Sequence, residues 1–208
     1  MFRKVTLPAF VSVLMIVAGL LSCSEDSNYD SRTNVYVSSI SHNRPFICDV
    51  LCQGDSIFEE DGSTLKTDDD FITEDYMAVE FTNRPYNSIV DPANGSLGQF
   101  LVTGYDVEFI PLGGAAVPVP PFSGSTSILV PSGETVEAYI LLVPFEAKAV
   151  DPLFGLRFPL GGEIMSRAHI TFHGEEIQSG SEVDFEANVT VNFADLLLTR
   201  TDQEKLNQ

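Results

Sequence analysis

The side chains with most to offer chemically are His169 and His173, a run of acids between Gln53 and Asp75, and the cysteines Cys48 and Cys52. On a helix, two histidines four residues apart can share a metal ion. On a strand they point the same way but stand about 13 Å apart, too far to hold one zinc between them. Each then meets its own neighbour from an adjacent strand. The acidic run offers hard oxygen donors of the kind that bind calcium, with Asp68, Asp69 and Asp70 as the candidate ligands. It lacks the ordered spacing of an EF-hand loop, so it reads first as a solvated charge run. Cys48 and Cys52, if extended, lie about 13 Å apart, whereas a disulfide needs Cα atoms within about 7 Å. They pair across a bend or stay as two buried thiols. A zinc site would require further ligands at usable spacing, and the sequence supplies none. Gly124-Ser125 and Gly180-Ser181 lack the strand-to-helix setting of a serine nucleophile. No catalytic residue is assigned.

The histidines must be positioned by the stretch from Glu163 to Asp195. Ile164, Ser166, Ala168, Ile170 and Phe172 alternate with Met165, Arg167, His169, Thr171 and His173. Val183, Phe185, Ala187, Val189, Val191 and Phe193 then alternate with Asp184, Glu186, Asn188, Thr190 and Asn192. A period of two held this long describes strands with one buried and one wet face. Gly174 and Gly180 lie in the polar stretch His173 to Ser181, which predicts an antiparallel hairpin turning there.

The same alternation predicts strands over Asn34 to Ile40, with Val35, Val37 and Ser39 on one face, and over Asp75 to Asn83. In the latter, Met77, Val79 and Phe81 point inward and Ala78, Glu80 and Thr82 outward. Phe100 to Ile110, Ser127 to Val130 and Thr135 to Val143 follow. Apolar residues on both faces of the last suggest the centre of a sheet. Arg84 to Gly98 and Leu112 to Thr126 read as loops. After Pro144, Glu146 and Lys148 favour a helix that Pro152 ends within two turns. Leu153 to Leu160 reads as a crossover tucked over the open end of the core. About eight strands and one short helix make the fold all-β, an immunoglobulin-like or related Greek-key β-sandwich. It spans 34–198, with a polar tail over 199–208.

Ahead of the domain, Arg3 and Lys4 precede an apolar run that closes on Leu20-Leu21-Ser22-Cys23. This resembles the signal peptide of bacterial lipoproteins. The resemblance implies removal of residues 1–22 and acylation of Cys23, for example with palmitate. Each buried methylene contributes about 0.8 kcal/mol, so the chains hold a domain on a membrane that it does not span. Ser24 stands where an Asp would imply retention at the inner membrane, which implies the outer membrane instead. Residues 23–33 read as an acidic, flexible tether. In general patterning the mature domain resembles immunoglobulin-like β-sandwich lipoproteins, but no motif carries a residue role across.

With 30 acidic against 11 basic residues and a net charge of −19, the chain repels nucleic acid and anionic lipid surfaces. The absence of Trp removes one favoured platform for stacking sugars. These features point to a lipid-anchored, non-catalytic protein of the cell envelope that binds or scaffolds an envelope protein or glycan. The alternatives are an extracytoplasmic glycan hydrolase using carboxylates of the acidic run, and a calcium-stabilised adhesion module.

Overall fold

Strong alternation in Glu163–Glu176 and Glu182–Ala194 folds these segments into an antiparallel hairpin whose partners include Phe172 with Phe185 and His173 with Asp184. The computed structural model describes residues 33–54, 70–85, 98–113, 119–157, 161–198, 202 and 205. In chain order the strands are β1 (Thr33–Ile40), β2 (Phe46–Asp49), β3 (Asp75–Pro85), β4 (Phe100–Pro111), β5 (Phe122–Val130), β6 (Thr135–Val143), β7 (Glu163–Glu176) and β8 (Glu182–Ala194). A one-turn helix, α1 (Phe145–Lys148), follows β6.

The strands form two sheets. The smaller has the order β1-β3-β6 and the larger the order β2-β8-β7-β4-β5. Among the described strands, β4–β5 and β7–β8 are the pairs of sequential neighbours in one sheet, and the other successive strands lie in different sheets. The opening strand is itself divided. β1 joins the smaller sheet, while β2 runs parallel to β8 in the larger one. This is an all-β, sandwich-like fold of eight strands in two sheets.

Side chains from the inner faces fill the space between the sheets. Phe81 of β3 meets Phe172 of β7 edge to face at 5.0 Å, and Phe185 of β8 stacks on Phe172 at 5.5 Å. Phe109 and Phe193 form a second edge-to-face pair at 5.5 Å. Tyr105 adds a polar tie, its hydroxyl donating to the Leu141 carbonyl of β6 at 3.1 Å.

Several local expectations are revised. β7 continues through Glu176, and the hairpin turns only over 177–181, where Gly180 has a φ of +66°. Gly174 lies within β7 because Phe100 needs the space: a Cβ there would sit 2.4 Å from the Phe100 ring and 2.5 Å from the Leu101 carbonyl. Strand β6 is an edge, with β3 at the centre. Tyr139 is 58% exposed, whereas Leu142 and Val143, on opposite faces, are buried, so β6 is covered on both faces only at its end. Central β3 has Ala78 and Thr82 buried, contrary to their expected outward placement. Thr82 is flanked by Ser38 on one side and Thr135 on the other. Strand β5 begins at Phe122, because its Ser- and Gly-rich start pairs with Val107 and Asp106 of β4 instead of forming a loop. A bulge after Val37 packs Ile40, rather than Ser39, against the core. The crossover after α1 buries Leu153 and Leu156 as expected.

Replacing Gly174 with Ala forces either the Phe100 ring or the β4 backbone to move. Overpacking of this kind costs about 1–3 kcal/mol, so the urea midpoint of Gly174→Ala is expected to fall. An unchanged midpoint would show that the contact is not close.

Candidate functional site

Strand register alone gathers a polar row on the outer face of the larger sheet. Ser123 of β5 lies opposite Asp106 of β4, and His173 of β7 lies opposite Asp184 of β8. Gly104 is the β4 partner of His173, so Asp106 stands one diagonal step away, within reach of a long side chain. His173 Nδ1 is 2.8 Å from Asp184 Oδ1, and its Nε2 is 2.9 Å from Asp106 Oδ2. The Ser123 hydroxyl donates to the other oxygen of Asp106.

An imidazole with a carboxylate at each nitrogen is held as the cation, donating both N–H groups. The bond to Asp184 and then that to Asp106 raise the His173 pKa above its ordinary value. Asp106 is lowered in turn, by the Ser123 hydroxyl first and His173 second. His169 sits two steps along the same face, beyond Thr171, with Nδ1 3.1 Å from Asn188 Oδ1 and Nε2 3.8 Å from Glu186 Oε2. Each histidine therefore has its own neighbours. In the row Ser–Asp–His–Asp the carboxylate separates the hydroxyl from the imidazole, so His173 cannot take the Ser123 proton as a triad base would.

Beside the row opens a cleft of about 490 Å³ lined by Thr103, His173, Gly174, Glu175, Glu182 and Asp184. The β4 bulge between Val102 and Gly104 sets Thr103 at its rim, where the Thr103 hydroxyl donates to the His173 carbonyl at 3.3 Å. The lining is dominated by carboxylate acceptors.

A second cluster lies inside the protein, where α1 meets the end of β2 and the start of β3. The ammonium of Lys148 is 2.8 Å from Asp75 Oδ2, with side-chain exposures of 0% and 1%. It also donates to the Asp49 carbonyl at 2.8 Å. Burial works against the Lys148 charge, yet the Asp75 carboxylate beside it holds its pKa above the ordinary value. Burial, followed by the charge of Asp75, pushes the Cys48 thiol well up. The Asp49 carboxylate accepts the Leu196 and Leu198 amides at 3.0 and 3.3 Å, while burial lifts its pKa to about 6. Arg157 donates to the Lys148 carbonyl at 3.0 Å and lies over the Phe154 ring at 4.4 Å.

Sequence reasoning treated Lys148 only as a helix former. The available signal was a lone cation between Ala147 and Ala149, just before an apolar crossover. The candidate pairing of Cys48 with Cys52 is not formed, and both are buried free thiols. The chain bends at Val50 and Leu51 but stays tied to β8 and its continuation, Val50 to Ala194 before the bend and Gln53 to Leu198 after it, and the sulfurs remain apart. Asp68, Asp69 and Cys23 lie outside the described residues, whereas Asp70 lies within them. Among the described residues, no group of three or more His, Cys, Asp or Glu side chains is placed to hold a metal ion.

Two opposite pH dependences can be separated by variants. Because its folded pKa is raised, the His173 clamp contributes fully below about pH 6.5, the unfolded value, and fades as pH rises through the folded one. The Tm deficit of His173→Gln is therefore expected to shrink from pH 6 toward pH 9, and a constant deficit would contradict the clamp. Asp49 is likewise raised, from 3.8 to about 6, so its ionisation erodes stability as pH climbs through that interval. Asp49→Asn should lack this decline in urea midpoint, and an identical slope in both proteins would rule it out. No protein-family model matches the chain, and no curated protein matches it in sequence.

Proposed function

We propose that the protein is a lipoprotein of the cell envelope, anchored through acylated Cys23, that binds an envelope protein or glycan without transforming it. The outer membrane is the favoured location, on the strength of Ser24. The cleft of Thr103, His173, Glu175, Glu182 and Asp184 is the binding site in this reading.

The observation that carries it is the way Asp106 and Asp184 share one imidazolium. Glycoside hydrolysis uses two carboxyl groups placed either side of a sugar, one of them ready to give a proton. Here both are engaged with His173, which suits a rigid recognition surface better than acid–base chemistry. Glu175 and Glu182 remain at the cleft as acceptors for ligand hydroxyl or amino groups. The exposed sheet face places these acceptors on rigid strands, so little ordering accompanies binding.

Two measurements test this reading. Palmitate labelling of cells is expected to mark the wild-type protein and not Cys23→Ser, which should leave the membrane fraction; an unlabelled wild type would remove the anchor. A photo-crosslinker placed at Thr103 should capture an envelope component, and Glu175→Gln with Glu182→Gln should reduce that capture about tenfold, the equivalent of one charge-assisted hydrogen bond. Undiminished capture would move the site elsewhere. Cleavage of purified envelope glycan by the wild-type protein would overturn the non-catalytic assignment.

A further inference from the structure

We propose that Lys148 and Asp75 condense spontaneously into an intramolecular amide, a covalent cross-link between the start of β3 and the helix that follows β6. The inference is independent of the ligand proposed above. It rests on the contact of Nζ with Oδ2 at 2.8 Å, the near-complete burial of both side chains, and the fixed backbone on either side of them.

In water an ammonium and a carboxylate do not condense, because both are charged and solvated and the solvent drives the reverse reaction. Burial removes both obstacles. Two ions taken out of water are costly to hold, and a single proton passing from Nζ to Oδ2 across the short contact abolishes both charges. The Asp75 charge that stabilises the ammonium disappears in the same step, leaving an amine against a carboxylic acid. The lone pair of Nζ then attacks Asp75 Cγ. The C–N bond forms, one C–O bond breaks, and the departing hydroxyl takes a proton from nitrogen and leaves as water. No electrons are exchanged and no co-reactant enters.

Positioning supplies the acceleration. Asp75 opens β3 and is paired with Val143 of β6, and Lys148 lies just beyond that same strand. A hydrogen bond from Nζ to the Asp49 carbonyl holds the ammonium in place beside Asp75. Reactants held within about 3–3.5 Å react as though at very high concentration. Burial keeps the neighbouring Cys48 thiol protonated, so no thiolate competes for the Lys148 ammonium. The remaining charged groups are set back from the reacting atoms. The Asp49 carboxylate is taken by the Leu196 and Leu198 amides, and the Arg157 guanidinium by the Lys148 carbonyl. The product is neutral, so the interior exchanges two buried charges for one amide. The sandwich thereby gains a covalent tie at an end where Cys48 is a free thiol.

The full-length protein, purified from membranes, denatured and digested, decides the matter by mass spectrometry. The expected result is a branched peptide joining the segments that carry Asp75 and Lys148, lighter by one water than the sum of the two. Asp75→Ala should give only linear peptides. Recovery of Lys148 and Asp75 in separate, unmodified peptides from the wild-type protein would overturn the proposal and leave a buried ion pair. That result does not depend on whether any variant folds.

Discussion

The sandwich is held at the crossing of Phe81 and Phe172, where the central strand of the smaller sheet meets the middle of the larger one edge to face. Truncating a buried Phe to Ala typically costs about 3–5 kcal/mol. A domain's entire stability is only about 5–15 kcal/mol, so this contact constrains everything around it. Phe185 stacks on Phe172 from β8, and Phe100 occupies the space that Gly174 leaves open. Because side chains alternate along a strand, fixing Phe172 inward also fixes His173 outward. The polar row on the outer face follows from the packing of the inner one.

Charge is handled differently on the two sides. On the wet face, Asp106, His173 and Asp184 compensate one another in contact with solvent, where each ion keeps part of its hydration. Inside, Lys148 and Asp75 have none. A buried pair of this kind adds little net stability over apolar side chains of similar volume. Removing either partner alone would leave an uncompensated buried charge, which costs far more.

Much of the architecture was legible in local pattern. The β7–β8 hairpin, the inward set Met77, Val79 and Phe81, the one-turn helix after Pro144 and the burial of Leu153 and Leu156 all follow from periodicity and breaker residues. Where local composition misled, a partner strand had overridden it. Ser123 and Gly124 look like loop but pair with β4, and Gly174 looks like a turn but marks the approach of Phe100. Tyr139 and Leu141 point to a central strand, but β6 is an edge, where an apolar side chain on the outer face is left partly open to solvent.

By itself the sequence determined the fold class, the faces of the strands and the acidic balance, because each of these is written in neighbours along the chain. It also separated His169 from His173, since extended backbone fixes their spacing. Tertiary structure alone decided that Asp106 and Asp184 would meet at one imidazole, and that Lys148 would lie against Asp75. Those groups are brought together by strand register and by a crossover between sheets. Such distances depend on how the whole chain closes on itself, which no local window of residues records.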